Sequence, residues 1–525
     1  MSALLVAILA LPLLAALGAL LAGSRRPRLV GFVGAWTAGA GFVGACVLAV
    51  RVAARGPVSA DLTSAGGALV AGLEANRLTV LLLVLVFGVS SVAQVFAMRY
   101  LACDDRAGWF TAGAALLTAA SAGLMTSATL IGLGCCWTVA GVALCLLLAT
   151  YWELPAARDG VRRTATAFLL GDLALWTAIG LLTIQWGNVR LFSLSATQLG
   201  HSSPSLVAAA CLIVIAALSR SAQVPFQRWL PATLAAPTPI SALLHAGVVN
   251  AGGVLLVRMS PIVSGSAVAM GIAFAAGSAS MVYGAVVMLL KTDIKGSLVY
   301  STMAQMGFMI LTCGLGLPAA AVFHLTGHGF YKATLFLSSG SAIARRRRKA
   351  ARPPVPPSAR RVALHVTALV APAAALYLAD NIIGPSHAGR GATSALLIFA
   401  WATGAAAMTG WLARNPGPRT ALVGTAALLV AAVGYAALVR AVTSFIAPDL
   451  PPLTVPSASS AGIVAVAVLL GALTWLREAP ADGRASRWQR TLYATALTAG
   501  HVPVTRHLPA PTHPARTHQL TGALR

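Results

Sequence analysis

Apolar runs of about 20 residues, the length a helix needs to cross the hydrocarbon core of a bilayer, recur along almost the whole chain between short polar interruptions. Lipid offers the backbone no hydrogen-bond partners, so such a run can hide its N–H and C=O groups only by becoming helical. The pattern predicts an all-α polytopic membrane protein with about 15 transmembrane helices, roughly 13 to 16 by this criterion. Composition agrees: 58% of the residues are hydrophobic, 9% are charged and the mean hydropathy is +0.82. Those values exclude an ordinary soluble enzyme. Residues 4–22 are expected to be a retained helix, because no A-x-A cleavage site precedes a soluble domain.

A net charge of +25 would suggest nucleic acid as a partner for a soluble protein, but here the cations sort by loop. Loops after odd-numbered helices hold 28 Lys and Arg, against 7 in the others. The rich set runs through Arg25–Arg28, Arg99–Arg106, Arg158–Arg163, Arg228, Lys291 and Lys295, the arginines of 345–361, Arg414 and Arg419, and the tail from Arg477. The positive-inside rule then predicts a multi-pass protein of the inner (plasma) membrane with its N-terminus outside and its C-terminus in the cytoplasm. The basic balance is topology plus attraction to anionic lipid, so the lipid bilayer is the partner it implies and nucleic acid is not.

The expected organisation is a transmembrane bundle over 1–477, a basic, Pro-rich cytoplasmic linker at 344–361 carrying RRRRK and PPVPP, and a basic, disordered cytoplasmic tail at 478–525. Of seven Cys, Cys46, Cys135, Cys136, Cys145, Cys211 and Cys313 lie in apolar runs without metal-ligand spacing, as small core residues would. Neither a metal site nor a cofactor is expected, and no nucleotide-binding loop or nucleophile constellation is present.

Irregular backbone is tolerated at membrane depth only where protein or a wet cavity surrounds it. Broken helices are expected at two places. Near 220–240, Pro225, Pro231, Pro237 and Pro239 follow Arg220; near 324–332, Gly327 and Gly329 interrupt a run that carries two His and a Lys. Six ionisable residues fall inside apolar spans: Asp172, Arg220, His245, His324, His328 and Lys332. Each costs about 2.5–3.5 kcal/mol at the centre of a membrane helix, so they are expected to face one another in a hydrated interior. His324, His328 and Lys332 recur every four residues and share one helix face. Histidine exchanges protons near neutral pH, so this stripe can relay them. The bland account, polar side chains that tie helices together, weighs equally for His245 alone. Asp293, between Lys291 and Lys295, is explained by helix capping.

These residues lie in blocks that resemble a known superfamily. SRSAQVPFQRWLPATLAAPTPISALLHAGVVNAGGVLLVR at 219–258, TDIKGSLVYSTMAQMGFM at 292–309 and HLTGHGFYKATLFLSSGSAI at 324–343 look like the membrane subunits of proton-translocating quinone oxidoreductases. MRYLACDDRAGWF at 98–110 and LLGD at 169–172 agree, giving an antiporter-like core of about 98–343. HAGVVNAGG, GFYKATLFLSSG and a chain that ends soon after its last span resemble the DabB membrane subunit of energy-coupled inorganic carbon transporters. That likeness implies a zinc-containing, carbonic-anhydrase-like cytoplasmic partner of the DabA type, driven by H+ or Na+ moving down its gradient. Covalent catalysis by this chain is not implied. The alternatives are an antiporter-like subunit of a complex I, hydrogenase or Mrp-type assembly, or a purely structural scaffold.

By position, the resemblance places Arg220 where the family has a central lysine on the broken helix, with His245, His324, His328 and Lys332 on its polar axis. The family also has a Glu after the Trp of the fifth span, whereas Trp137 is followed by Thr138. Arginine stays charged at essentially any pH, so the likeness implies a fixed counter-charge at Arg220 and a path that conducts rather than pumps.

Overall fold

The computed structural model describes residues 1–450, apart from 24, 66–67, 188–189, 192–202, 292, 342–360, 385–389 and 416, together with 491 and 494. The linker expected at 344–361 lies outside the described residues but for Arg361, as do 451–477 of the bundle and, but for those two positions, the tail at 478–525.

Among the described residues, eleven helices are long and apolar enough to cross a membrane. The chain begins with α1 (Ser2–Ala22) and α2 (Pro27–Arg55), then a hairpin of β1 (Val58–Ala65) and β2 (Ala68–Ala75). Next come α3 (Arg77–Tyr100), α4 (Ala107–Thr126), α5 (Leu130–Leu148), α6 (Pro155–Trp186) and α7 (Pro204–Arg220). The short pieces α8 (Trp229–Ala232), α9 (Thr238–Ala246), α10 (Ala251–Arg258) and α11 (Ser260–Val263) follow, then α12 (Ala267–Leu290), α13 (Ile294–Gly314) and α14 (Pro318–Leu337). The last described helices are α15 (Arg361–Ile383), α16 (Arg390–Arg414) and α17 (Pro418–Ile446).

Lipid, not water, is the solvent of the outer faces. Leu13, Leu14, Leu17, Leu20 and Leu21 on α1, and Leu169, Leu170 and Leu173 on α6, are all exposed; in water so continuous an apolar surface would aggregate. The pair α9–α10 is the opposite case, with 94% of its apolar window buried, and it marks the centre of the bundle. Helix starts are capped as their sequences require: Asn76 accepts from Thr79 N, Thr129 from Gly132 N, Ser266 from Ala269 N and Asp293 from Gly296 N. Capping therefore accounts for Asp293.

Three expectations change. The first break holds: α7 ends at Arg220, and the chain runs irregularly to α9. At the second place there is no break, because α14 continues through Gly327 and Gly329. Glycine loosens a helix but does not break it. Gly329 instead allows close packing, since a Cβ there would lie 2.6 Å from Leu85 Cδ1 and 3.1 Å from Ala246 O. The real second interruption is at Gly247, where α9 gives way to a 3-10 turn, Val248–Asn250, before α10. Second, the all-α architecture carries one antiparallel hairpin in the polar 54–76 connection, with Val58, Leu73 and Ala75 buried and Leu62 exposed. Third, the cysteines are core residues only in part: Cys136, Cys211 and Cys313 are half-buried against the core, Cys46 and Cys145 are half-buried, and Cys135 is exposed.

The α12–α13 pair shows how closely these helices approach. A Cβ at Gly284 would lie 2.6 Å from Ala304 N, and one at Gly307 the same distance from Met281 N, both backbone atoms that cannot step aside. Small residues of this kind let membrane helices pack backbone to backbone. Gly284→Leu should lower stability by about 1–3 kcal/mol or more, as overpacking does. Gly271→Leu, on the same helix where a Cβ meets nothing within 4 Å, should leave it unchanged. Thermal unfolding in detergent compares the two; equal effects would mean the helices are not in close contact.

Candidate functional site

The interior holds two groups of ionisable side chains. The first is built on α5, α6 and α7. Arg220, the last residue of α7 and only 1% exposed, donates from Nη2 to Asp172 Oδ1 on α6 at 2.8 Å. Trp137 Nε1 on α5 donates to the same oxygen at 2.7 Å. The guanidinium is sandwiched, its Cζ 4.4 Å from the Trp137 ring centroid and 4.1 Å from that of Phe168. Cation–π contacts of this kind strengthen when desolvated. Room for it comes from Gly141, where a Cβ would lie 2.9 Å from Nη1.

The break after Arg220 is held by side chains that take the place of helical partners. Trp229 Nε1 donates to Ser219 O at 2.9 Å and Ser219 Oγ to Ala167 O at 2.6 Å. Gln223 Nε2 donates to Ser221 O at 2.7 Å, and Val224 N to Ser280 Oγ at 2.9 Å. Ser221 Oγ donates to Val249 O at 2.7 Å, so the interruption after α7 is tied to the one between α9 and α10.

The second group follows α14. His324, His328 and Lys332 are buried on one face, as their spacing predicts. Lys332 Nζ donates to Ser301 Oγ at 2.8 Å and, more weakly, to Leu298 O at 3.4 Å, both on α13. His245, two residues before the Gly247 interruption, stacks on Phe336 with ring centroids 4.3 Å apart. The rings of His324 and His328 lie 6.0 Å apart, and His324 is boxed by Phe308 and Phe399. Among the described residues, neither nitrogen of His328, nor His324 Nε2, nor His245 Nδ1, meets a protein hydrogen-bond partner. Buried polar atoms in native proteins nearly always bond to protein or water, so these rings call for water in the interior.

The six predicted residues are thus all buried or half-buried, but they are not one constellation. Asp172 and Arg220 pair with each other; His245, His324, His328 and Lys332 gather around α14. No hydrogen bond or ion pair among the described residues joins the two groups. Thr138 lies apart from Arg220, accepting from Trp176 Nε1 at 3.1 Å on the exposed side of α5. The acid that faces the α7 cation is therefore Asp172, one helix away from the position the family pattern indicates.

Sequence reasoning missed Arg258. It is buried at the end of α10 and donates to Leu124 O and Ser127 O at the C-terminus of α4, where a cation complements the helix dipole. The hairpin reaches this point: Ala128 N donates to Gly72 O at 2.8 Å, and Asp61 pairs with Arg190 at 2.9 Å. On the hairpin, burial pushes the Glu74 carboxyl above its ordinary range, while Arg190 and Arg258 pull it back.

Charge held in the buried interior of a multi-pass bundle, beside interrupted helices, defines an ion-handling membrane subunit. The family described as NADH:quinone oxidoreductase/Mrp antiporter, TM matches residues 127–352. The "Probable inorganic carbon transporter subunit DabB1" of Halothiobacillus neapolitanus is 33% identical over 405 residues, 73% of this chain and 72% of that protein. The corresponding DabB of Bacillus subtilis is 37% identical over 279 residues, 51% of this chain and 54% of the relative. The fold matches the Mrp complex from Dietzia sp. with a TM-score of 0.64 at 22% identity, covering 94% of this chain and 59% of that one. The chain belongs to the family of its DabB relative, and its 127–352 region is of the NADH:quinone oxidoreductase/Mrp antiporter type.

Breaking a buried ion pair by removing one partner costs about 3–5 kcal/mol, whereas replacing both with apolar groups is close to neutral. Asp172→Leu should therefore destabilise strongly, and the Asp172→Leu/Arg220→Met double variant should regain most of the loss. Thermal unfolding of the unchanged protein, Asp172→Leu, Arg220→Met and the double variant gives the coupling; additive losses would mean the pair does not hold.

Proposed function

We propose that the chain is the membrane subunit of an energy-coupled inorganic carbon transporter, conducting H+ or Na+ down its gradient to drive a zinc-containing, carbonic-anhydrase-like cytoplasmic partner. The observation that carries this reading is the 33% identity to a DabB subunit over nearly three quarters of both chains. In this reading the protein sits in the plasma membrane with its N-terminus outside and its C-terminus in the cytoplasm. The partner does the covalent chemistry.

Within the chain, Lys332 receives and releases the proton, steadied by Ser301. His328 passes it along α14, through water, since a 6.0 Å ring separation is too long for a direct hydrogen bond and suits a bridging water. His245 and His324 are the flanking stations. Arg220 keeps its charge throughout and holds Asp172 as its counter-ion. The pair sets the field in which the His and Lys groups exchange protons, biased through the Ser221–Val249 link.

The family description favours a second reading, an antiporter-like subunit of a redox-driven or Mrp-type assembly. Purification of the tagged protein in mild detergent, with mass spectrometry and metal analysis, separates the two. A stoichiometric zinc protein is expected; flavin and iron–sulfur subunits, or a set of small membrane subunits, would overturn the carbon-transport reading. In a host that depends on bicarbonate uptake at low carbon dioxide, Lys332→Met should abolish growth while the complex still assembles. Unimpaired growth would remove Lys332 from the path.

A further inference from the structure

On the side of the membrane that carries the excess of Lys and Arg, a cavity of about 270 Å³ opens between α2, α3 and α4. Its lining is mainly apolar, including Met98 and Phe110, but Arg28 and Arg99 also border it, together with Gln94 and Thr111. Arg28 and Arg99 are exposed. None of the lining residues is acidic. The nearby Asp104 is taken up by Tyr151 Oη at 2.5 Å and by Arg106 N at 2.9 Å. The cavity also includes the first turns of α2 and α4, at Pro27 and Ala107, so two positive helix ends add to the two guanidinium groups. Gln94 is 3% exposed. Its Nε2 donates to Ser90 Oγ at 3.0 Å, while Oε1 has no protein partner among the described residues.

We propose that this cavity binds the headgroup of an anionic phospholipid, with Arg28 and Arg99 on the phosphate diester and Gln94 Oε1 accepting from a headgroup hydroxyl, as a phosphoglycerol group would offer. Phosphate is the chemistry the charges select. An apolar lining beside a helix crevice favours lipid over free phosphate, because the acyl chains would continue along the lipid-facing surface that Met98 and Val95 expose. Basic pockets between transmembrane helices bind such headgroups. The site is separate from the α7 and α14 groups and does not depend on the proposed transport function.

Native mass spectrometry of the full-length protein, titrated with phosphatidylglycerol or phosphatidylcholine, tests the assignment. One or more phosphatidylglycerol molecules should be retained preferentially. Arg28→Gln/Arg99→Gln should weaken that retention by roughly 30-fold, the combined effect of two cations beside an anionic lipid. Arg25→Gln/Arg26→Gln removes the same amount of charge from the adjacent α1–α2 connection without touching the cavity lining, and should leave retention unchanged. Equal loss in both double variants, or equal retention of the two lipids, would overturn the proposal. So would full protection of the protein against heat by inorganic phosphate alone. A folding failure in the cavity variant is detected by its elution profile; a Gln94→Met variant, which keeps every charge, should then still show weaker discrimination for phosphatidylglycerol over a phosphatidylmethanol that lacks the hydroxyls. Unchanged discrimination would also count against the site.

Discussion

A guanidinium shut away from solvent, in a molecule whose surroundings are themselves lipid, needs a counter-charge within reach. The Arg220–Asp172 bond supplies it at 2.8 Å, and much of the neighbouring architecture follows from keeping it. Asp172 is shared with the Trp137 indole, and Phe168 closes the other side of the cation. The helix can stop at Arg220 because Trp229, Gln223 and Ser280 take up backbone groups that a continuous helix would have paired. In hydrocarbon each of those groups, left alone, would cost several kcal/mol. The break and the ion pair are one solution to one problem: charge and irregular backbone are concentrated where protein surrounds both.

The second polar group is built differently. Lys332 is supported by one hydroxyl and a carbonyl of the adjacent helix rather than by a carboxylate, and the histidine rings lean on aromatic faces. Such contacts orient the rings without fixing their nitrogens. Arg220 and Asp172 make a stable electrostatic landmark, while the α14 stripe is left able to change its protonation. The link between them is the Ser221 hydroxyl donating to the Val249 carbonyl, across two interruptions that lie side by side.

Much of this could be read in the residues. Helix length, the alternation of basic loops and the four-residue recurrence of His324, His328 and Lys332 each follow from one geometric rule, and the stripe does share a buried face. The break after Arg220 was marked by four prolines, which cannot all continue a helix. The misreadings came where one residue type serves two ends. Gly327 and Gly329 signal a weak helix in the sequence, whereas in three dimensions Gly329 admits Leu85 and the Ala246 carbonyl. The interruption at Gly247 carries no proline and looks like any glycine in an apolar run. Arg258 was hidden because a cation at the end of an apolar run fits a loop as well as a buried helix C-terminus. Which acid would face Arg220 depended on helix packing, not on sequence neighbours: Asp172 is 48 positions away, and Thr138 turns outward.

Gly141 makes the α7 cation and the wall of α5 a matched pair. The flat, wide guanidinium lies across a position where even a methyl group would press on Nη1 at 2.9 Å. The narrower ammonium of a lysine would leave that space unfilled and would lose the planar stacking between Trp137 and Phe168. Exchanging this arginine for a lysine is thus a change to two helices at once. The unit of inheritance at this site is a residue and the gap cut for it, and neither half is portable alone.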